Sequence, residues 1–454
     1  MPTQVNPATG EEGETFPELG DEQIEAKIAN AEEAYRDWRL TDYGTRTALL
    51  GRIADQYDDQ AERLAAIITG EMGKPIAQAR AEISKCAKGF RFYAENGPDM
   101  LKPIERKLAN GRSVSHWLPQ GPVLAVMPWN YPFWQVVRFL APTIMAGNAG
   151  LLKHASSTPA CAAALEEMVL KAGGPEGLFQ NLHISASKVA GIIADDRVIA
   201  VTITGSEGAG IKVAEAAGHN LKKVVLELGG SDPFIVMPSA DIEKAAETAV
   251  AARLQNAGQS CIAAKRMIVH ADVYDRFMEI FVARTKAYKV GDPMDDDTEM
   301  GPLSSAGARD DIVELLEKAV QAGATKICGG DVPDKPGAWM TPAILVDIPR
   351  GAPVIHQEFF GPVAMVFKVK DIDEAITVAN DIPFGLGSSV WTNDDDERDR
   401  FIRDIEAGMT AVNQMLASDP YAPFGGVKRS GHGRELSEHG LHEFMNLKNV
   451  MLVV

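Results

Sequence analysis

From residue 120 onwards, short apolar runs alternate with segments of helical periodicity, and this alternation limits the possible folds more than any other feature. The apolar runs predict strands at 123–127, 149–153, 181–184, 198–203 and 223–228. The intervening segments predict helices at 133–145, 159–172, 187–194 and 207–217. Strands connected by helices form parallel sheets, which bind ligands beyond the carboxyl ends of their strands. We therefore predict an α/β fold with its functional residues at that edge.

A second α/β unit is predicted after residue 230, and the two ends of the chain differ from both units. Its strands are predicted at 234–237, 266–270, 342–346, 363–369, 387–391 and 410–413. Its helices are predicted at 241–255, 272–288, 304–322, 373–380 and 396–406. Before residue 120, helical periodicity covers 21–38 and 45–96, with an interruption from Gly70 to Pro75. The C-terminal segment FMNLKNVMLVV is predicted to be an exposed strand that pairs with a partner subunit.

Composition and charge exclude several classes of protein. A chain of 454 residues is long enough for two or three domains, and a formal charge of −18 disfavours nucleic acid or an anionic membrane surface as a partner. The N-terminal segment has neither the basic nor the apolar region of a signal peptide, and no apolar stretch is long enough to span a membrane. The cysteines form no CxxC pair and stand at positions 86, 161, 261 and 328. We therefore expect a cytoplasmic protein without a metal site or a disulfide framework.

Two residues are candidates for catalysis on local grounds. Cys261 ends the polar segment NAGQSC, ahead of the start of another element, where backbone N–H groups would favour a thiolate. A cysteine can equally be a small buried apolar residue. Glu227 ends an apolar strand and precedes Gly229 and Gly230, at the sheet edge where sites are built. It can be a salt-bridge partner, or a general base whose pKa is raised by burial.

Other polar residues near the predicted strand ends give weaker signals. Asn130 follows the first strand and can donate an N–H to an oxyanion, or act as a turn or capping residue. The segment TGSEGAG (204–210) follows a strand and opens a helix, although the GxGxxG fingerprint of dinucleotide-binding folds is missing. Lys153 ends a strand and can reach a ribose or a phosphate, or can simply be solvated.

Taken together, these segments resemble the aldehyde dehydrogenase superfamily along essentially the whole chain. The matching motifs occur in the expected order and are NPATG (6–10), EMGKP (71–75), MPWNYP (127–132), GNAGLLKHAS (147–156), TGS (204–206), LELGG (226–230), GQSC (258–261), EFFGP (358–362), PFGL (383–386) and PFGGVKRSGHGRE (423–435). The resemblance implies a variant Rossmann cofactor domain, which explains the missing fingerprint, an α/β catalytic domain and a β-strand oligomerisation arm. It implies a cofactor domain at 1–100 and 120–229, a catalytic domain at 230–430 and an arm at 101–119 and 431–454. A homodimer or homotetramer is expected.

The resemblance also implies a role for each matching residue. Cys261 is the implied nucleophile, Glu227 the general base that activates the hydrolytic water, and Asn130 an oxyanion donor together with the Cys261 backbone N–H. The implied cofactor contacts are Trp129, Lys153, Ser156, Gly205, Ser206, Glu358 and Phe360. The cofactor is NADP+ or NAD+. Members selective for NAD+ usually carry glutamate three residues after the lysine, and Ser156 at this position favours NADP+.

Within the superfamily the chain is most similar to the succinate-semialdehyde dehydrogenases, which implies a substrate with a distal carboxylate. The resemblance implies that Arg138 is the anchor, since semialdehyde dehydrogenases commonly have arginine at this position, and Arg138 would share a helical face with Trp134. Gln255 and Ser418 are expected to add hydrogen bonds. Arg138 could instead pair with a structural acid. Glutarate semialdehyde, lactaldehyde or an aliphatic aldehyde are alternative substrates, and a non-catalytic binding protein with this fold is the alternative of a different class.

Overall fold

The computed structural model describes residues 3–453 and begins with a layer of helices. A short antiparallel hairpin, β1 (Thr3–Val5) and β2 (Glu12–Thr15), precedes α1 (Asp21–Trp38), α2 (Tyr43–Asp59), α3 (Ala61–Met72) and α4 (Ile76–Met100). The predicted interruption is found between α3 and α4, where Gly73 adopts a left-handed conformation with φ of 75°. A second break, at Gln60, divides the segment before Gly70 that was predicted as a single helix. No glycine or proline beside Gln60 indicates this break in the sequence.

The first predicted α/β unit forms a six-stranded sheet. Its parallel strands are β5 (Pro122–Met127), β6 (Ala149–His154), β7 (Phe179–Asn181), β8 (Ala200–Thr204) and β9 (Lys223–Glu227), which lie in the order β9-β8-β5-β6-β7, with the short antiparallel strand β19 (Gly431–His432) beside β9. The connecting helices are α5 (Trp134–Ala146), α6 (Pro159–Lys171), α7 (Val189–Ala194) and α8 (Glu207–His219). The predicted alternation is confirmed, and the third strand is the least accurate prediction, since it begins at Phe179 instead of residue 181.

The second unit forms a seven-stranded sheet in the order β12-β13-β14-β11-β10-β16-β17. Its strands are β10 (Asp232–Val236), β11 (Ala264–His270), β12 (Thr325–Cys328), β13 (Ala343–Val346), β14 (Val363–Val369), β16 (Gly387–Trp391) and β17 (Met409–Val412). Its helices are α9 (Ile242–Leu254), α10 (Tyr274–Lys286), α11 (Ala306–Gln321), α12 (Ile372–Asn380) and α13 (Asp395–Asp404). The edge strand β12 was not predicted, because three of its four residues are exposed and it has no apolar run.

Both sheets are covered on two faces, which explains why their strands are apolar without alternation. In β5, Val123 and Ala125 belong to one buried cluster, and Leu124 belongs to the cluster on the opposite face. In β10, Ile235 packs on one side of the second sheet and Phe234 on the other. The helical layer of α1 to α4 packs mainly against the first sheet, so the strand ends of that sheet and the helix α4 can contribute to one site.

A third, three-stranded sheet contains the C-terminal segment that was predicted to be an exposed strand. It consists of β3 (Ile104–Leu108), β4 (Gly111–Pro119) and β20 (Met445–Leu452), in the order β20-β4-β3. Strand β20 pairs with β4 of its own chain along its full length, from Met445 opposite Pro119 to Leu452 opposite Arg112. The chain itself therefore supplies the neighbour of β20 on one side, and β20 lies at the edge of the sheet, so its pairing with a partner subunit stays a prediction.

The segment that leads to β20 belongs to other parts of the fold. From the predicted range 431–454, residues Gly431–His432 lie in the six-stranded sheet and α14 (Ser437–His442) packs against α5. The remaining strands, β15 (Phe384–Gly385) and β18 (Val427–Lys428), pair with each other. None of the helices within residues 3–453 is long and apolar enough to cross a bilayer.

Candidate active site

The carboxyl ends of the first sheet bring several predicted site residues to one edge. Lys153 lies opposite Val126 of the neighbouring strand β5, and Trp129 follows that strand. On the other side, Glu227 ends β9 opposite Thr204, and the backbone N–H of Gly205 donates to the Glu227 carbonyl at 3.0 Å. Parallel strands place their carboxyl ends at the same edge of the sheet. Trp129 and Glu227 therefore lie at one edge, although they are 98 positions apart in the sequence.

The loop that carries Cys261 is shaped by left-handed backbone conformations. Asn256 and Ala257 have φ near 55° and Gly258 has φ of 73°, so α9 ends in a tight turn and not in a continued helix. A Cβ at Gly258 would lie 2.5 Å from the carbonyl oxygen of Gly361, which excludes larger residues there. After this turn the chain enters β11 at Ala264, leaving Cys261 half-buried on the wall of a cavity.

Asn130 is tied directly to this loop. Its side-chain Nδ2 donates to the carbonyl oxygen of Gln259 at 3.0 Å, and its own carbonyl accepts from Nδ2 of Asn256 at 2.8 Å. The buried ammonium of Lys74 donates to the same Asn130 carbonyl at 3.0 Å. One amide N–H of Asn130 is engaged by Gln259, which leaves a second N–H for an oxyanion formed near Cys261.

A buried ion pair fixes the segment between Asn130 and α5. Lys74 pairs with Glu82 of α4, and both side chains are 1% exposed. The other oxygen of Glu82 accepts from the backbone N–H groups of Phe133 and Trp134 at 3.0 Å each, at the N-terminus of α5. A carboxylate at a helix N-terminus is favoured by the helix dipole. The motif EMGKP therefore has a structural role in positioning Asn130, which the sequence did not indicate.

The environment of Cys261 differs from the predicted one. The element that follows is a β-strand, so no helix N-terminus stabilises a thiolate, and burial raises the pKa of the Cys261 thiol to about 11. Positive charge from Arg138 and Lys265 opposes this effect without overcoming it. Lys265 is held close by its hydrogen bonds to the carbonyl oxygens of Ser260 at 2.5 Å and Cys261 at 2.7 Å. The thiol of the protein alone is therefore mostly protonated at neutral pH.

Alkylation should report this high pKa. With iodoacetamide, the labelling rate of Cys261 should rise by about tenfold for each pH unit from pH 7 to 10, because only the thiolate reacts and its fraction grows in that proportion below the pKa. Intact-mass measurements on the protein without cofactor check this, and Cys261→Ala gives the background from the other cysteines. A rate that levels off below pH 8 would contradict the assigned environment.

Glu227 lies in a cluster of buried charges. Its side chain is 2% exposed and neither carboxylate oxygen has a hydrogen-bond partner within residues 3–453. Burial raises its pKa well above the usual range, as the sequence predicted, and the neighbouring carboxylate of Glu435 raises it further, whereas Arg138 and Arg434 lower it. A Cβ at Gly425 would lie 2.7 Å from Glu227 Oε1 and 2.8 Å from the backbone carbonyl oxygen of Gly433, and φ is 154°, so this position requires glycine. A carboxyl group with a raised pKa has the property needed of a general base.

Arg138 pairs with an acid and also lines the cavity. Its Nε lies 2.8 Å from Oε2 of Glu435, and the two side chains are 3% and 6% exposed. The approach is not aligned as a hydrogen bond, so Nε and Nη2 have no hydrogen-bond partner within the described part of the chain. The guanidinium also lies over the ring of Phe424, 4.3 Å from its centroid. Because Nε faces Glu435, Nη2 is the buried group of Arg138 that remains for a ligand.

The cavity itself has a volume of about 180 Å³ and joins the nucleophile to the predicted substrate residues. Cys261, Arg138, Gln255 and Ser418 all line it. Trp134 lines it one helical turn from Arg138, as the spacing predicted. The structure thus brings together all three residues predicted to bind the distal carboxylate and places them in one cavity with Cys261.

A second cation in this cavity was not predicted. Lys85 of α4 lines the same cavity, and its ammonium donates to Oγ of Ser418 at 2.8 Å and lies 4.7 Å from the Trp134 ring centroid. Burial and the charge of Arg138 lower its pKa to about 8. Nothing local in the helical sequence around Lys85 distinguishes it from a solvated lysine. Glu435 lies inside a recognised motif and was still given no role, because its partner Arg138 is far away in the sequence.

The predicted cofactor residues face the same strand edge from both units. Ser206 caps α8, accepting from the backbone N–H of Ala209 at 3.4 Å, and is exposed. Trp129 and Phe360 are in edge-to-face contact with 5.8 Å between centroids. Glu358 pairs with the buried Lys265 at 3.0 Å and accepts from the Gly230 N–H at 3.2 Å. The structure thus puts an aromatic pair and a fixed carboxylate beside the Cys261 loop.

The end of β6 carries the residues that were predicted to contact the ribose-phosphate part of a dinucleotide. Ser156 is exposed, and Lys153 is partly buried with a pKa lowered by burial, an effect that the carboxylate of Glu18 opposes. No acidic side chain of residues 3–453 lies within ion-pair distance of the Lys153 ammonium. The N-terminus of α8, beyond the neighbouring strand, presents unpaired backbone N–H groups of the kind that bind phosphate.

Comparison with known proteins shows similarity along almost the whole chain. The family model described as the aldehyde dehydrogenase family matches residues 2–450. Succinate-semialdehyde dehydrogenase (NADP+) 1 of Mycobacterium tuberculosis is 50% identical over 451 residues, covering 99% of each chain. The structure of succinic semialdehyde dehydrogenase from Streptococcus pyogenes in complex with NADP+ superposes with a TM-score of 0.98 at 38% identity over 100% of both chains.

A further solved structure is similar over almost the same length. Succinate-semialdehyde dehydrogenase from Burkholderia pseudomallei has a TM-score of 0.96 and 32% identity, and the match covers 100% of this chain and 94% of that one. The family match spans both α/β units, the three-stranded sheet and the loop that holds Cys261 against Asn130. Because fold, motif order and whole-length similarity agree, this chain belongs to the aldehyde dehydrogenase family.

Proposed function

We propose that this protein oxidises succinic semialdehyde to succinate with NADP+ as the preferred cofactor. The observation that carries the proposal is the cavity that joins Cys261 to two cationic side chains, Arg138 and Lys85, and to Ser418. A thiol at one point of a cavity and a basic group at another fit a substrate with an aldehyde at one end and a carboxylate at the other. The relatives named for this reaction share up to half of the sequence.

The proposed reaction uses the chain's own residues as follows. Cys261 gives its proton to solvent water and its sulfur attacks the aldehyde carbon, with Arg138 and Lys265 supplying positive charge near the thiolate. The oxyanion accepts hydrogen bonds from the Asn130 amide and the Cys261 backbone N–H. When bound, NADP+ supplies a hydride acceptor. Loss of hydride from the Cys261 adduct leaves a thioester, and Glu227 takes a proton from the water that attacks it, so succinate leaves and the thiolate returns.

The cofactor preference follows from Ser156 and Lys153. At the end of β6, a hydroxyl stands where a carboxylate would bond the ribose and repel a 2′-phosphate. The partly buried ammonium of Lys153 can pair with such a phosphate, although Glu18 weakens its positive field. We infer that NADP+ is used better than NAD+.

Substitution of Ser156 by glutamate tests this inference. The ratio of kcat/KM for NADP+ to that for NAD+ should fall by about 100-fold, because one change removes a phosphate contact and adds a carboxylate, and interactions of charged groups contribute about 1.5–3 kcal/mol each. Initial rates with both cofactors at fixed succinic semialdehyde measure the ratio. Ser157→Glu, one residue further from the strand, is the matched control and should change it little. A wild-type enzyme strictly dependent on NAD+ would contradict the assignment.

A substrate panel tests the proposed reaction itself. Succinic semialdehyde should have a kcat/KM well above that of butyraldehyde, which has the same carbon chain with a methyl group in place of the carboxylate. Glutarate semialdehyde, which also carries a distal carboxylate, and lactaldehyde, which carries none, are the alternative substrates. NADPH absorbance in initial-rate assays decides between them. A preference for butyraldehyde would overturn the assignment to a semialdehyde, and an inactive protein would support the non-catalytic alternative.

The same proposal extends to domains, assembly and location. We propose that the six-stranded sheet with α1 to α4 binds the cofactor, that the seven-stranded sheet carries the catalytic loop, and that the three-stranded sheet joins subunits. Several apolar side chains of that third sheet are exposed, including Leu118, Leu447 and Met451. Exposed apolar sheets commonly mark subunit contacts, which supports a homodimer or homotetramer. The four cysteines are all free, which supports a reducing cytoplasm.

A further inference from the structure

Lys85 occupies a position in the cavity that a merely solvated lysine would not adopt. It lies on α4, is only partly exposed, and its ammonium is directed at Ser418 and the ring of Trp134, both of which line the cavity. Lysines on helix surfaces ordinarily keep their ammonium in water, since desolvation of a charge is costly. Three residues further along the same helix, Lys88 has a side chain 59% exposed, and its ammonium pairs at 3.5 Å with the carboxylate of Asp419, which is itself exposed.

The charge balance of the cavity makes Lys85 the uncompensated cation. Arg138 is paired with Glu435 at 2.8 Å, so its positive charge is largely balanced by a buried carboxylate. No carboxylate of residues 3–453 lies within ion-pair distance of Lys85. A buried charge without a counter-ion is unfavourable by itself and becomes favourable when an anionic ligand supplies the missing charge.

The hydrogen bonds of Ser418 point to where that anion would bind. Its Oγ accepts from the Lys85 ammonium and from Nε1 of Trp134, each at 2.8 Å. A hydroxyl group has two acceptor positions and one donor, so both acceptor positions are taken and the O–H must be donated to a third group. An acceptor placed next to Ser418 and Lys85 therefore completes the arrangement, and a carboxylate oxygen is such an acceptor.

We propose that Lys85 is a specificity-determining residue that binds the distal carboxylate of the substrate together with Ser418, in the cavity that Arg138 also lines. This inference rests on the proposed function. It differs from the sequence-based prediction, in which Arg138 was the single charged anchor. The proposed interaction requires that Lys85 is charged and that the substrate carries an anion at the end remote from the aldehyde.

Replacement of Lys85 by methionine keeps the length of the side chain and removes its charge. We expect kcat/KM for succinic semialdehyde to fall by about 30-fold, mainly through KM, because one partner of a charged contact is lost. For butyraldehyde the change should stay within about threefold, since no charged contact is involved. Lys85→Arg should retain most of the activity with succinic semialdehyde. Lys88→Met, on the same helix and outside the cavity, should behave like the wild type.

Two outcomes would overturn the inference, and they differ from failure of the proposed function. Equal losses with both aldehydes in Lys85→Met would show that Lys85 only supports the segment around Ser418, and an unchanged kcat/KM would show that it does not touch the substrate. The proposed function is tested by the wild type alone, through its preference for succinic semialdehyde over butyraldehyde. Binding without turnover gives a second readout, since succinate should slow alkylation of Cys261 in the wild type and not in Lys85→Met.

The pH dependence of the preference for succinic semialdehyde over butyraldehyde adds an independent test. The groups that influence the ammonium of Lys85 are Glu82 and Cys86 on its own helix, Asp419 in the facing loop and Arg138 on α5. The net effect with burial is a pKa of about 8, so the ammonium loses its proton as the pH rises through that value. The ratio of kcat/KM for succinic semialdehyde to that for butyraldehyde should therefore fall above pH 8, whereas ionisation of Cys261 affects both substrates and cancels. A ratio independent of pH up to 10 in the wild type would overturn the assignment.

Discussion

Replacement of Cys261 by alanine should abolish aldehyde oxidation, with kcat reduced by at least about 10⁴-fold, the scale of loss that follows removal of a covalent nucleophile. Without the sulfur no adduct forms and no hydride is released. Glu227→Gln should behave differently, because the glutamate acts only on the hydrolytic water. That variant should release about one equivalent of NADPH per active site and then stop with a thioester on Cys261. Single-turnover absorbance and intact-mass measurements distinguish the two variants.

The position of Glu227 predicts that Glu227→Gln has little effect on the stability of the fold. Neither carboxylate oxygen has a hydrogen-bond partner within residues 3–453, and burial raises its pKa, so a neutral amide of the same shape should fold normally. Glu227→Gln should therefore keep the thermal midpoint of the wild type. Full steady-state turnover in this variant would remove Glu227 from the mechanism, and the absence of a first equivalent of NADPH would place its action before hydride transfer.

Loss of Arg138 should be the second large effect, and its ion pair with Glu435 determines how it must be measured. Removal of one partner of a buried ion pair leaves the other charge uncompensated, typically at a cost of about 3–5 kcal/mol. Arg138 also lowers the pKa of Glu227. We therefore expect Arg138→Met to lose stability and to lose activity with every aldehyde. This differs from the prediction from sequence, in which uncharged aldehydes would be little affected.

The double variant Arg138→Met with Glu435→Gln isolates the role in substrate binding. Glu435 raises and Arg138 lowers the pKa of Glu227, so removal of both charges largely cancels at the general base. Stability and kcat/KM for butyraldehyde should return towards wild-type values. For succinic semialdehyde, kcat/KM should stay at least about 30-fold below the wild type, because the carboxylate has lost a charged partner. Equal recovery with both substrates would show that Arg138 serves only to balance Glu435.

Much of the fold and the catalytic candidates were predictable, because the signals for the buried strands and for the motifs are local in the sequence. The parallel strands of both sheets have apolar runs that are buried on two faces, as with Val123, Leu124 and Ala125, and such runs are readable without knowledge of their neighbours. Edge strands lack this signal, so Thr325–Cys328 was missed. The order of the motifs identified the family, and the fixed positions of Cys261, Glu227 and Asn130 within those motifs made them candidates before any geometry was known.

The charge pattern of the site was decided only by the tertiary structure. The pKa values of Cys261 and Glu227 depend on burial and on the field of groups from other elements, and the predicted thiolate-favouring loop proved to raise the pKa of the thiol. Arg138 and Glu435 are separated by almost 300 residues, and the contact between Lys85 and Ser418 joins positions 333 apart. A sequence pattern shows which face of an element is apolar, whereas the compensation of a buried charge depends on which distant side chain is folded against it.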